Sequence, residues 1–180
     1  MIELMILGFL AEGPLHGYIL RKRMEMLYGS ARPISYGTLY PAINRLVAAR
    51  LVRQSEEPGK AGAARQVLSL TFPGRQSLEE RLRGATGHDI TDGQRFTVVL
   101  AFLSHLPDIA QRDAVLRRRL EFLSKPPAFF SDGERPLDAD EVTDPYRKGI
   151  LVTAEAAMNA ETEWLTAMLA PGDSATVQAR

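Results

Sequence analysis

Between positions 35 and 45 the sequence reads SYGTLYPAINR, and its polar side chains are all hydrogen-bonding groups. Ser35, Tyr36, Thr38 and Tyr40 carry hydroxyls, Asn44 an amide and Arg45 a guanidinium fork. No paired carboxylates or nucleophile motif accompany them, so the chemistry on offer is recognition rather than bond-making. Hydroxyls, amides and a guanidinium bind phosphate oxygens and base edges. Gly37 and Pro41, from the two poorest helix-forming residue types, lie among them.

The element that must position these groups is a helix. Leu39, Ile43, Leu46 and Val47 form an apolar stripe at helical spacing, and Ser35 is a good N-cap. On the opposite side, by 100° steps, lie Gly37, Thr38, Pro41, Asn44, Arg45 and Ala48, with Tyr36 and Tyr40 near the edge. That face is small and sparsely charged, unlike a solvated face of Lys and Glu. A helix entering the major groove brings its N-terminus close to phosphates, where free N–H groups and the dipole favour anions. Gly37 clears space for that approach. Pro41 either sits in the first turn at little cost or bends it.

The surrounding sequence supplies a frame. Residues 2–11 are apolar nearly all round, with Glu3 the only charge before Glu12, which predicts a buried helix stopped by Gly13-Pro14. In LHGYILRKRMEMLYG, Leu20, Met24 and Leu27 mark an amphipathic helix with Gly29 as C-terminal cap, and His16 caps or packs at its start. After the third helix come two short strands, 51–55 and 66–71, with Leu68, Leu70 and Phe72 on the apolar face. The tip between them, EEPGKAGAAR, carries Lys60 and Arg65. Thr71 caps a helix over 73–83. Three helices followed by a basic-tipped hairpin describe a winged helix-turn-helix.

Past Gly84 the composition shifts. Residues 91–106 and 107–125 read as helices, 126–144 as a Pro- and Asp-rich connection with some local helix, and 145–170 as a long helix. Its near-heptad positions are Leu151, Ala154, Met158, Leu165 and Met168. Arg117-Arg118-Arg119 reads as a solvated helix face, and the tail from 171 as disordered. The expected fold is mainly α with a small β-hairpin wing: a DNA-binding domain over 1–84 and an α-helical dimerisation domain over 85–170.

Composition narrows the function. The net charge is zero, but residues 1–83 hold 12 Lys and Arg against 7 Asp and Glu, while 84–180 hold 10 against 15. The basic half is the one suited to a polyanion. With no cysteine, thiolate metal sites and disulfides are excluded; His16, His88 and His105 are scattered. The acidic stretch DGERPLDADEVTD lacks the glycine and ligand spacing of a calcium loop, so neither metal nor cofactor is expected. No apolar run approaches the ~20 residues of a membrane span, there is no basic n-region or cleavage site, and a cytoplasmic location is expected.

His16-Gly17-Tyr18, Gly37-Thr38-Leu39-Tyr40-Pro41 with Arg45-Leu46, and Ser69-Leu70-Thr71-Phe72-Pro73-Gly74 occur in order. Over the first 80 or so residues the chain resembles the PadR-like transcriptional regulators. That resemblance implies a homodimer that binds double-stranded DNA at an imperfect palindrome and represses transcription, often released by a small aromatic or cationic compound. It assigns DNA contacts to Tyr18, Ser35, Thr38, Tyr40 and Arg45, with Lys60 and Arg65 from the wing. Where the family has adjacent basic residues, this wing has Ala63-Ala64-Arg65, leaving Arg65 as its main charge. Dimer contacts are expected from the first helix (Leu4, Leu7) and the last (Leu151, Met158, Leu165, Met168). Trp164 is read as interface core, with lining an effector pocket the lesser reading. The rival readings are a winged helix that binds only protein and, further off, an enzyme.

Overall fold

The computed structural model describes residues 1–29, 33–57, 65–125 and 129–170. They form α1 (Ile2–Ala11), β1 (Leu15–His16), α2 (Gly17–Tyr28), α3 (Tyr36–Ala48), β2 (Val52–Glu57), β3 (Arg65–Leu70), α4 (Phe72–Arg83), α5 (His88–Thr91), α6 (Gly93–Phe102), a 3-10 turn (Leu103–His105), α7 (Ile109–Leu123) and α8 (Pro145–Leu169). The architecture is mainly helical with one small antiparallel sheet, in the winged-helix order. Two compact units divide the chain, Met1–Arg112 and Asp113–Arg180.

In the first unit α1 is the hub. Leu4, Met5, Ile6, Leu7, Gly8 and Leu10 are all buried, and α2, α3, α4, α6 and β3 pack on this helix. A helix with no solvent face can be stable only in such surroundings. Against α6, the Phe102 ring occupies the space over Gly8. A Cβ at Gly8 would lie 2.4 Å from Phe102 Cγ. The same ring meets Phe9 edge-on at 5.0 Å. Buried Phe96, Val98, Val99 and Phe102 therefore keep α6 in the first unit, which continues well past Gly84.

The helices start and stop where their capping residues stand. Ser35 Oγ accepts from the Thr38 amide, Thr71 Oγ1 from the Gly74 amide and Asp92 from the Arg95 amide. Gly29, at φ 86°, ends α2. Pro41 falls inside α3, past its first turn, and the helix runs on through it. The carbonyl left without its donor and crowded by the ring belongs to residue 37, four positions earlier, and that residue is glycine. Gly37 and Pro41 thus act as a pair, with backbone freedom placed where the proline creates crowding.

The sheet has three strands in the order β1-β3-β2, one more than the expected hairpin. β2 pairs with β3 from Val52↔Leu70 to Glu57↔Arg65, and β1 adds Leu15↔Leu68 and His16↔Val67. Two residues are too few for alternation to reveal a strand. As the central strand, β3 buries the successive residues Val67 and Leu68 and so is covered on both faces. Phe72, expected on the apolar strand face, instead begins α4 and is exposed.

One junction aims the hairpin relative to α3. After α3, Arg50 turns the chain at φ 59° and Leu51 N donates to Leu46 O at 2.9 Å. Thr71 then donates its hydroxyl to the Arg50 and Leu51 carbonyls at 2.8 and 2.9 Å while capping α4. A Cβ at Gly74 would lie 2.0 Å from Leu51 O, so only glycine fits beneath this turn.

In the second unit Arg119 of α7 overturns the expectation of a solvated arginine face. It is 5% exposed and forms a bidentate pair with Glu161 of α8, both bonds 2.8 Å, while Arg117 remains exposed. A buried guanidinium needs such a partner to offset desolvation. The described part of the 126–144 connection contains no helix. It is a turn closed by a Ser131↔Pro136 bridge and an Arg135–Glu141 ion pair, which holds the Glu141 carboxyl down at about 2. Asp144 caps α8 by accepting from the Tyr146 and Arg147 amides.

Two outcomes follow for the first unit. Gly8→Ala overpacks a buried ring, and denaturant unfolding should show a loss of about 2–3 kcal/mol with an unchanged slope. His105, half-buried and stacked on Phe102, has its pKa pushed below the ordinary 6.5 by burial and by Arg75, against the opposing pull of Glu12. The unfolded chain therefore binds this proton first, so stability is present above 6.5 and is lost as pH falls through that value. Thermal unfolding between about pH 7 and pH 5.5 should show this loss, and His105→Gln should flatten it.

Candidate nucleic-acid interface

The outward face of α3 is as small as its sequence implies. Leu39, Ala42, Ile43 and Leu46 are buried, while Gly37, Thr38, Pro41, Asn44, Arg45 and Ala48 are all exposed. At 100° per residue the centre of that face falls on Gly37, Pro41, Asn44 and Ala48. Tyr36 and Tyr40 stand along one edge, Thr38 and Arg45 along the other. The face is low in the middle and armed at its rims.

The tyrosine rim is ordered by stacking. Tyr36 and Tyr40, 56% and 42% exposed, lie nearly parallel at 5.7 Å, and the Arg21 guanidinium of α2 sits 4.5 Å from the Tyr36 ring centre. Tyr18, 60% exposed, stacks on His16 at 6.1 Å. Between these pairs opens a cleft of about 390 Å³ whose polar walls are His16, Tyr18, Tyr40, Asn44, Gln54 and Gln66. His16 stands at the N-cap position of α2 but makes no side-chain cap. Its Nδ1 lies 3.1 Å from the Gln66 carbonyl, which requires Nδ1 to carry the proton. Gln54 Nε2 donates to Gln66 Oε1 across β2 and β3.

The opposite rim is already engaged. The Ser35 and Thr38 hydroxyls hydrogen-bond each other at 2.8 Å while Ser35 caps the helix, so this pair serves the start of α3 first. Arg45 donates from Nε to Glu3 Oε1 at 3.0 Å, and Arg81 of α4 reaches Glu3 Oε2 at 3.2 Å. Arg21, Gln54, Gln66 and Glu3 belong to no motif read from the sequence. Arg21 is brought in by its place on α2 beside Tyr36, Gln54 and Gln66 by the hairpin register, and Glu3 by the seating of α1 against α3.

The structure thus brings Tyr18, Tyr40 and Asn44 to one cleft and Tyr36 to its flank, with Arg45 on the far rim. Lys60 lies outside the described residues, as does the Arg65 side chain. Among the residues expected at a dimer contact, Leu4, Leu7, Leu151 and Leu165 are buried within the single chain, because the stripes that suggested an interface serve its own core. Met158 is half-buried and Met168 exposed. The large apolar side chains that α8 leaves open are Ile150, Val152, Trp164 and Met168, together with Tyr146. Among the described residues no cluster of His, Asp and Glu could hold a metal, and no helix is long and apolar enough to cross a membrane.

Because the Ser35 hydroxyl holds the first turn of α3, Ser35→Ala should cost about 1 kcal/mol in unfolding free energy. The accompanying sign is faster hydrogen exchange at the Thr38 amide, and unchanged exchange would remove the cap from this account.

Residues 6–80 match the model of the transcriptional regulator PadR-like family. A curated relative, an uncharacterized 37.1 kDa protein in transposon TN4556 of Streptomyces fradiae, is 35% identical over 113 residues, 62% of this chain. The match spans only 30% of that relative's length. Among solved structures, Bacillus subtilis PadR in complex with operator DNA aligns over 94% of this chain and 98% of its own, at 18% identity and a TM-score of 0.46. The same protein in complex with p-coumaric acid aligns over 93% and 96%, at 19% identity and 0.42. A transcriptional regulator from Clostridium thermocellum aligns over 44% and 76%, at 24% identity and 0.40. The family match runs from α1 into α4 and takes in all three motifs, so residues 6–80 of this chain are similar to the PadR-like family of transcriptional regulators.

Proposed function

We propose that this protein is a sequence-specific DNA-binding regulator that acts as a homodimer on a palindromic operator. The observation that carries the reading is the outward face of α3, with Gly37, Pro41 and Ala48 exposed along its centre and tyrosine and arginine at its rims. A helix shaped this way can seat its backbone deep in the major groove. Lys60 and Arg65 of the wing add further DNA contacts, as the family resemblance implies. The strand of backbone separating the two grooves passes over the cleft between α3 and the sheet. Uncharged donors there, from Tyr18, Tyr40, Asn44 and Gln54, suit sugar and phosphate oxygens.

A C2 dimer presents two α3 helices one turn of DNA apart, about 34 Å. The exposed Ile150, Val152, Trp164 and Met168 of α8 supply apolar surface for a second copy. Repression, and its relief by a small aromatic or cationic compound, complete the reading and rest on the family. A ligand can act this way only by binding the two arrangements of the DNA-binding heads with different affinity.

The test is titration of duplex DNA by the full chain over a range of salt, with sizing at micromolar protein. A dimer is expected, with log K falling linearly against log salt. Arg45, at the rim, is assigned to a phosphate, so Arg45→Ala should weaken all duplexes alike and lower the salt slope by about 1. Relaxed specificity at one base position would assign it to a base instead. Absence of binding to both promoter and random duplex at low salt would favour a protein-interaction module.

A further inference from the structure

Glu3 is the only charged side chain in α1, and it meets the exposed rim of α3 through Arg45. Its carboxylate takes Arg45 Nε on one oxygen at 3.0 Å and Arg81 Nη2 on the other at 3.2 Å. Burial pushes the Glu3 carboxyl up, but the Arg45 hydrogen bond and the two guanidinium charges outweigh it and hold the pKa below its ordinary value. Glu3 is therefore ionised at neutral pH. Leu4 and Leu7, just beyond it, are fixed in the core, so the carboxylate is an anchored acceptor rather than a mobile one.

The way Arg45 is held is informative. The contact uses Nε, the inner nitrogen of the guanidinium, and leaves the outer Nη1 and Nη2 with no hydrogen bond among the described residues. The side chain remains 64% exposed. A long arginine alone on a surface samples many rotamers and must lose that freedom when it binds. One tied at Nε presents its outer edge as a pre-oriented fork, the geometry that pairs with two phosphate oxygens. Arg81 balances the carboxylate from the other side and leaves the pair of arginines with net positive charge toward solvent.

We propose that Glu3 is a positioning residue for DNA binding, holding Arg45 by Nε so that its two Nη groups face a backbone phosphate. The inference rests on the reading that α3 contacts DNA. It joins the most buried helix of the domain to the rim of the recognition surface through one hydrogen bond.

The experiment compares Glu3→Ala with Glu3→Gln in the full chain. Both remove the same negative charge, so the general gain in attraction to DNA cancels, but only glutamine keeps an acceptor for Arg45 Nε. Glu3→Ala should bind operator duplex about fivefold more weakly than Glu3→Gln, the size of one net hydrogen bond. In an Arg45→Ala background that difference should vanish, which separates positioning from any loss of α1 stability. In DNA-free protein, NMR should show the Arg45 Nε–H protected from exchange in wild type and Glu3→Gln and unprotected in Glu3→Ala. Equal affinities, a difference that persists without Arg45, or tighter binding by Glu3→Ala than by Glu3→Gln would overturn the proposal. Wild-type protein that binds no duplex at low salt brings down the DNA reading itself, and this inference with it.

Discussion

Everything in the first unit is arranged around a helix that has no face for water. Because α1 is apolar nearly all round, with Glu3 its one charge, α2, α3, α4, α6 and β3 all close on it. Gly8 sets how near α6 can come, since the Phe102 ring fills the place of a side chain. The recognition helix is thus supported by buried contacts, not by surface charge. A ten-residue helix of this composition has no stability alone, and it becomes the most constrained element only once its neighbours are present.

A second constraint fixes the wing. The turn after α3 offers the Arg50 and Leu51 carbonyls to the Thr71 hydroxyl, and Gly74 lies against the Leu51 carbonyl of the same turn. The end of α3, the base of the hairpin and the start of α4 therefore form one rigid corner. The corner fixes the aim of the hairpin relative to α3, which the proposed DNA reading requires. Unpaired polar groups at the corner would be costly, and Thr71 serves two carbonyl acceptors and one amide donor at once.

The recognition surface follows from what these supports leave exposed. Its centre carries Asn44 among small residues, and its remaining donors stand at the edges on ordered stems. Tyr36 and Tyr40 stack on each other beneath Arg21, and Arg45 is tied to Glu3. Side chains held in this way have already lost much of the freedom that binding demands. The second unit has its own device of this kind, the buried Arg119–Glu161 pair, where each partner makes the other's burial tolerable.

Much was legible in the sequence because it depends on local rules. Helical spacing identified the buried and open faces of α3, and the capping chemistry of Ser35 and Thr71 marked where helices begin. The motifs His16-Gly17-Tyr18 and Gly37-Thr38-Leu39-Tyr40-Pro41 carried the PadR-like resemblance, and the family match over residues 6–80 takes them in. Other features were out of reach because they join residues far apart in the chain. The two-residue strand β1 exists only because β3 offers it an edge, and Gln54 meets Gln66 only through the hairpin register. The apolar stripes of α1 and α8 showed that Leu4, Leu7, Leu151 and Leu165 would be buried but not by what, and the tertiary structure spends them inside one chain. Glu3 looked like a lone charge on an apolar helix; folding put a carboxylate from position 3 against guanidiniums from positions 45 and 81. Local periodicity and capping are written in neighbouring residues, whereas partners across tens of residues are set by which surfaces fit when the core closes.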